Sequence, residues 1–245
     1  MTQYTSSNTS REYVIFKTDE IVPSILYSLR NTSSSPAEQY AACRCLEALS
    51  ILLGYGNDEY IETLYAPLLK AIKSTGLAVQ VRLAALRALS LSYFICGTDI
   101  TEMIHCMDVC ELVCAEKFRG EMVHELLRAS AIECWTLLAT VLDDSDLSGD
   151  AVTSHIYDDD DGGDGDDDAN NDQVYNDNNE GKGIKLLPLF QKYLEESNSM
   201  ELKSACGEAI ALIHESRLDL GIGDEKEGNS TQRRFQQGTN MDILK

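Results

Sequence analysis

The sequence contains almost no pattern that is typical of β-strands. Only Val14, Ile15 and Phe16 form a β-branched and aromatic run, which is too short to found a sheet. The polar N-terminal residues lack the apolar core of a signal peptide, and no apolar run approaches the ~18 residues of a membrane span. We therefore expect a helical protein of the cytoplasm or nucleus that does not associate with membranes.

Catalytic motifs are also missing. The chain has no Gly-x-Ser-x-Gly elbow, no Walker loop, no His-Glu-x-x-His pair and no Gly-x-Gly-x-x-Gly turn, and its four histidines are scattered. These absences argue against an enzyme, a small-molecule substrate and a bound cofactor.

The eight cysteines are too few for a disulfide-stapled scaffold of this length. Cys106, Cys110 and Cys114 recur at every fourth residue, which places them on one helix face. A thiolate metal site would need a fourth ligand and usually tighter Cys-x-x-Cys turns. We therefore expect all eight to be free thiols that pack in the core, because free cysteine is commonly buried.

Most of the negative charge lies in one segment. The chain has 41 acidic and 20 basic residues, and residues 143–180 hold 15 of the acids and no lysine or arginine. The rest of the chain therefore carries a net charge of only −6. Repelling charges with few apolar residues predict a disordered acidic insert at 143–182. Replacing residues 143–180 with a short Gly/Ser linker is then expected to leave the fold intact or slightly more stable.

The role of this insert has several interpretations. Asp164, Asp166 and Asp168 superficially resemble a calcium loop, but the required glycine and glutamate are missing further along. A passive solvated loop is the simplest interpretation. The alternatives are a phosphate mimic that binds basic partners such as histones and a shield over basic residues of the folded part.

Helix signals dominate the rest of the chain. Ser35 and Glu38 form a capping box with Pro36 at the first helical position, and an apolar stripe follows to about residue 53. Asn57, Thr98 or Asp99, and Asn198 are candidate caps for later helices. Glycine stops and apolar stripes predict these later helices at about 58–74, 78–96, 98–116, 121–142, 184–196 and 199–217.

Every second helix carries a small-residue motif with a charged residue at positions 47, 87, 133 and 208. The spacings are 40, 46 and 75, and the last falls to roughly 38 without the insert, close to the ~40–47 residues of HEAT or armadillo units. We predict an all-α, HEAT/armadillo-like α-solenoid of about four helix pairs; an irregular helical bundle is the alternative. The predicted regions are a disordered N-terminal segment (1–17), helical repeats (18–142), the acidic insert (143–182), a last repeat (183–218) and a disordered tail (219–245).

This alignment makes two structural predictions. Glu47, Arg87 and Glu133 should lie on neighbouring helices at equivalent heights, and Trp135 should be buried between the third and fourth pairs. In stacked repeats, the second helices line a continuous surface to which a partner can bind. The candidate basic residues of such a surface are Lys70, Lys73, Arg82, Arg87 and Arg128.

The order of several motifs resembles the N-terminal helical-repeat domain of the interferon-related developmental regulator family. They are Leu-Gly-Tyr-Gly at 53–56, Glu-Tyr-Ile-Glu-Thr-Leu at 59–64, Pro-Leu-Leu-Lys at 67–70, Val-Arg at 81–82, Thr-Asp-Ile-Thr-Glu at 98–102, Trp-Thr-Leu-Leu at 135–138, Leu-Pro-Leu at 187–189 and Cys-Gly-Glu-Ala-Ile-Ala-Leu-Ile-His-Glu at 206–215. The acidic insert and the lack of the family's conserved C-terminal region depart from the family pattern.

The resemblance implies a non-enzymatic protein. Members of the family act as transcriptional co-regulators, and one occupies idle ribosomes, so the implied partners are proteins or the ribosome. The alternative function is a generic HEAT or armadillo adaptor whose acidic tract binds basic chromatin or transport partners.

Overall fold

Helices make up most of the residues that the computed structural model describes, namely 17–31, 33–115, 117–118, 121–149 and 181–219. The helices in these ranges are α1 (Thr18–Arg30), α2 (Pro36–Leu53), α3 (Asp58–Lys73), α4 (Val79–Cys96), α5 (Ile100–Cys114), α6 (Glu125–Ala139), α7 (Asp144–Ser148), α8 (Lys182–Glu196) and α9 (Met200–Asp219). All seven helices predicted from the sequence are present, and α1 and α7 are additional.

The start of α2 follows the predicted capping box. The Ser35 side chain accepts a hydrogen bond from the Glu38 amide at 3.2 Å, and Pro36 occupies the first helical position. Gly54 ends the helix with a positive φ of 76°, a conformation that glycine adopts without steric cost. Asp99 caps α5 by accepting a hydrogen bond from the Thr101 amide at 2.7 Å. These local signals therefore predict the helix limits well.

Two predicted caps are wrong. Asn57 precedes α3, but its side chain makes no capping bond, because its amide donates to the Gly54 carbonyl at 2.9 Å. At the start of α9 the Ser199 hydroxyl, not Asn198, accepts a hydrogen bond from the Leu202 amide at 3.2 Å. The Asn57 side chain is thus held by the preceding turn, and at α9 the residue after Asn198 supplies the cap.

The chain segment before α6 also differs from the prediction. Lys117–Phe118 pairs antiparallel with Glu121–Met122, and each strand has two residues. The second strand takes the place of the first two residues of the predicted helix 121–142. His124 then caps α6, because its Nδ1 accepts a hydrogen bond from the Leu126 amide at 3.2 Å. The prediction of a chain without any sheet is therefore wrong at this one hairpin.

The helices pack in sequential pairs. Helix α1 contacts α2, α3 contacts α4, α5 contacts α6 and α8 contacts α9. The second helices of these pairs also contact one another in the order α2, α4, α6 and α9. The predicted side-by-side stacking of consecutive second helices is confirmed, and α1 supplies the first helix of the first pair. Pro23 lies inside α1, where it cannot donate a backbone hydrogen bond, yet the helix continues through it.

Helix α4 contacts more helices than any other described element. By length and apolar composition alone it could cross a membrane. It packs instead against α2, α3, α5 and α6, and more than half of its residues are buried inside the fold. Small residues let these helices approach closely. The Ser50 and Ser92 hydroxyls are 2.8 Å apart, and the Cys96 thiol donates to the Ser50 carbonyl at 3.4 Å.

Trp135 is fully buried, as predicted. Its ring meets that of Phe190 on α8 edge to face, with the ring centroids 5.5 Å apart. Its indole N–H donates to Glu111 on α5 at 3.2 Å, which satisfies the only polar atom of the side chain. Trp135 therefore joins the third and fourth helix pairs.

The predicted limits of the acidic insert need correction. Helix α7, Asp144–Ser148, lies within the range predicted to be disordered. Leu147 is buried, α7 packs against α8 and α9, and the Ser148 and Ser216 hydroxyls are 2.5 Å apart. Residues 144–148 therefore belong to the packed part of the molecule. Residues 1–16, 150–180 and 220–245 lie outside the described ranges, so their predicted disorder stays a prediction.

Gly149 and Gly181, the described residues on either side of 150–180, lie next to each other, and we call this place the neck (Leu147, Gly149, Gly181 and Lys182). A Cβ atom on Gly181 would lie 2.1 Å from the Gly149 nitrogen and 2.4 Å from the Leu147 carbonyl oxygen, so only glycine fits there. Two acids of α5 anchor Lys182, whose Nζ donates to a carboxylate at 2.5 Å and to a second at 3.0 Å. Residues 150–180 therefore begin and end at adjacent points.

Candidate functional site

The exposed face of the second helices carries a row of alternating charges. We call Glu47 on α2, Arg87 on α4 and Glu133 on α6 the acid–base row. Nη2 of Arg87 lies 2.7 Å from Oε2 of Glu133, and the two side chains are 45% and 42% exposed. Arg87 also interacts electrostatically with Glu47. The predicted placement of these residues on neighbouring helices is confirmed, whereas Glu208, at the fourth equivalent position, accepts a hydrogen bond from Ser204 of its own helix.

Glu47 is the unusual member of this row, because the residue is only 6% exposed. Arg44 donates to its Oε2, but its buried Oε1 has no hydrogen-bond partner among the described residues. Burial raises the pKa of Glu47, and this effect outweighs the opposing influence of Arg44 and Arg87. A buried carboxylate oxygen without a donor is costly, so the site has an unused capacity to accept a hydrogen bond.

An apolar row runs beside the acid–base row. Ile51, Leu91 and Leu137 follow its three members by four residues each, which is one helical turn. Ile51 is 63% exposed, and Leu91 and Leu137 are half-buried. We call the depression between the two rows the central groove; its volume is about 240 Å³, and it is lined by Glu47, Arg87, Ser90, Leu91, Glu133, Cys134 and Leu137.

The central groove combines carboxylates with an apolar wall. Such a surface can hold a side chain that has an apolar stem and a hydrogen-bond donor at its tip. Arg44 and the apolar row were not among the residues selected from the sequence. The repeat spacing contained the signal for the apolar row, since the residues four positions after 47, 87 and 133 are all large and aliphatic.

Two of the predicted surface arginines are inside the fold. Arg82 is 9% exposed and its Nε donates to the Ile72 carbonyl at 3.0 Å. Arg128 is 7% exposed and its guanidinium lies 4.6 Å from the centroid of the Tyr193 ring. This removes Arg82 and Arg128 from the exposed partner surface on which the sequence analysis placed them. Their charges hold the ends of helices together instead.

The other predicted basic residues remain accessible. Lys70 is exposed, Lys73 is half-buried, and both line one surface depression at the end of α3. Arg30 lines an adjoining depression that Lys70 also borders. We call these three residues the basic patch. Arg30 is the last residue of α1, a helix that the sequence patterns do not predict, so nothing in the sequence placed it beside Lys70.

The cysteines are buried with a single exception. Cys45 is exposed, which contradicts its predicted core position, and the other seven are buried. Burial raises the pKa of the Cys43 thiol to about 12 and that of Cys96 to about 11, so neither is a ready nucleophile. Among the described residues no group of three or more histidines, cysteines and acids is arranged to hold a metal ion.

The thiols give a direct test of this packing. At pH 8 we expect Ellman's reagent to modify one thiol rapidly in the folded protein and all eight after denaturation. The fast phase should disappear in Cys45→Ser and persist in Cys43→Ser, which removes a buried neighbour on the same helix. A second fast thiol in the folded wild type would contradict the burial of the other seven.

Comparison with known proteins places this arrangement in a family. The sequence profile of the interferon-related developmental regulators matches residues 1–245. The chain is also 26% identical over 194 residues to interferon-related developmental regulator 2 of Mus musculus. That alignment covers 75% of this chain and 36% of the mouse protein, so the chain spans only about a third of its relative. The chain belongs to the interferon-related developmental regulator family.

Proposed function

We infer that the protein is a non-enzymatic regulator of translation or transcription that acts by binding other macromolecules in the cytoplasm or nucleus. The observation that carries this proposal is the exposed face on which the acid–base row and the apolar row run side by side. Exposed apolar side chains next to fixed charges are typical of surfaces that bind proteins. Family membership supports the regulatory role.

The proposal includes the architecture. The sequential helix pairs and the contacts from α2 through α4 and α6 to α9 support a HEAT- or armadillo-type solenoid. In such a stack no pair buries its apolar faces alone, and the second helices present a continuous surface. The partner would therefore be expected to span more than one repeat.

The ribosome is the first partner to test, and the basic patch is the surface that would contact its RNA. Lysine and arginine side chains bind phosphates in a salt-dependent way, because binding releases counterions. Arg30, Lys70 and Lys73 are close enough together to serve as such a surface. The twelve acids between residues 150 and 180 would oppose it electrostatically.

Co-sedimentation with purified ribosomes at low and high salt tests this function. We expect association at low salt that weakens steeply as salt rises. The double variant Lys70→Glu/Lys73→Glu should bind much more weakly. Each lost phosphate contact should also reduce the slope of log affinity against log salt by about 0.7–0.9. The matched control is Lys185→Glu/Lys203→Glu, which makes the same charge change on α8 and α9.

The outcomes separate the candidate functions. Equal losses in both double variants would mean that only net charge matters, and no association at any salt would remove the ribosome as a partner.

A second candidate function is an adaptor that binds basic proteins through its acidic segment. The neck favours it, because residues 150–180 are joined to the fold at two adjacent points, Gly149 and Gly181. Binding to histones that is lost when residues 150–180 are deleted would support this adaptor.

A further inference from the structure

The central groove contains an acceptor without a donor. Oε1 of Glu47 is buried and unpaired among the described residues, and Glu47 lines the groove. The nearby cations are engaged elsewhere, since Arg44 donates to the other oxygen of Glu47 and Arg87 donates to Glu133. A buried carboxylate is stabilised most by a donor that is itself charged. Because each groove carboxylate already has one arginine partner, the capacity left for an incoming group is the unused Oε1 of Glu47, which a charged donor would satisfy best.

The walls of the groove specify the shape of that cation. Leu91, Leu137 and Cys134 form an apolar lining beside the two carboxylates. Lysine and arginine side chains bury an aliphatic stem along apolar surface and carry their charge at the tip. Glu133 is 42% exposed at the rim and offers a second carboxylate to such a tip. Ile51 extends the apolar surface beyond the groove, where a neighbouring apolar side chain of the same partner could pack.

We propose that the central groove binds a basic side chain of a partner peptide, with an adjacent apolar residue of that peptide on the apolar row. The carboxylate of Glu47 turns about its last side-chain torsion so that the buried Oε1 faces the groove and accepts from the tip of the basic side chain, whose stem lies between Leu91 and Leu137. This deepens the proposed function, because it names the chemistry of a protein partner for the same exposed face. It does not depend on the ribosome or on the basic patch.

A peptide selection followed by affinity measurements tests the groove. A displayed library of random 12-residue peptides is selected against the full chain, and the enriched peptides are synthesised with a fluorescent label. We expect a lysine or arginine beside an apolar residue in the enriched sequences. By fluorescence anisotropy, Glu47→Gln should weaken the binding of such a peptide about tenfold or more, the loss expected for one charge-assisted hydrogen bond.

The matched control is Glu62→Gln, the same change at an exposed residue of α3, which should leave the affinity unchanged. A change in the peptide avoids any effect on folding: replacing its basic residue with glutamine should cost the same factor against the wild-type protein and little against Glu47→Gln. Enriched peptides without a basic residue, or equal binding to wild type and Glu47→Gln, would overturn the proposal.

Two other occupants would also be revealed by this experiment. A chain truncated after residue 219 that binds the peptide tenfold more tightly would assign the groove to the chain's own tail and overturn a partner peptide. A dimer in light scattering that dissociates in Glu47→Gln would assign it to a second copy. The ribosome assay varies Lys70 and Lys73 and the peptide assay varies Glu47, so the failure of one proposal is distinguishable from the failure of the other.

Discussion

Replacing Trp135 with alanine is expected to lower the free energy of unfolding by about 3–5 kcal/mol, the usual cost of truncating a buried aromatic side chain. The indole is fully buried, meets the Phe190 ring edge to face and donates to Glu111. The substitution removes all three contributions at the joint between two helix pairs. Because Trp135 is the only tryptophan, unfolding in denaturant should be followed by circular dichroism and not by fluorescence.

The control for this experiment is Tyr55→Ala, which truncates an aromatic residue that is 78% exposed after α2. Its free energy of unfolding should change by less than about 0.5 kcal/mol, as for most surface substitutions. A loss below about 1 kcal/mol for Trp135→Ala would mean that the indole lies at a surface in solution and is available to a partner.

Deleting residues 143–180 is expected to lower the melting temperature by about 5–15 °C, whereas deleting only 150–180 should leave it nearly unchanged. The larger deletion removes the buried Leu147, and burial of one leucine stabilises a fold by about 2–5 kcal/mol. At this chain length 1 kcal/mol corresponds to about 2–4 °C. The smaller deletion rejoins Gly149 and Gly181, whose backbones already touch, through a Gly-Ser linker.

These expected results replace the sequence-based expectation that all of 143–180 is dispensable, because α7 packs in the fold. The point variant Leu147→Ala in the full chain should reproduce most of the loss, because it truncates the same buried side chain without a change in charge. If both deletions lowered the melting temperature equally, residues 150–180 would pack as structure. If neither did, α7 would contribute nothing to the fold in solution.

The smaller deletion also tests the shielding hypothesis. Removing the acids between 150 and 180 should strengthen binding to RNA or ribosomes, most clearly at low salt, where charges are weakly screened. If the acidic residues themselves bind a basic partner, deleting residues 150–180 should weaken binding to that partner instead. An unchanged affinity for nucleic acid at low salt would remove the shielding hypothesis.

Local signals in the sequence predict much of this fold. The capping box of Ser35 and Glu38, and glycine at position 54, fix the limits of α2 through bonds within a few residues. The recurrence of charge at 47, 87 and 133 predicts which helices are neighbours, because repeat units stack in register. Such features depend on spacing along the chain, and spacing is visible in the sequence.

The sequence predicts less wherever a distant contact decides the outcome. Arg128 looks like any surface arginine until Tyr193, 65 residues later, covers its guanidinium. Leu147 stands alone in an acidic run, and only α8 and α9 on the far side of the insert make it a core residue. Likewise, nothing in the sequence marks Oε1 of Glu47 as unpaired, because its isolation depends on how α2 and α4 pack.

The neck separates a part of the chain that is free to vary from a position that is not. A segment whose two ends touch can grow, shrink or change its charge without altering the distance that the repeats must span. Insertions and deletions between 150 and 180 should therefore be neutral for folding and free to serve selection for regulation. At Gly181 the opposite holds, because any side chain would collide with the backbone of Leu147 and Gly149. We expect related chains to differ most in the number of residues between Gly149 and Gly181, and least at Gly181 itself.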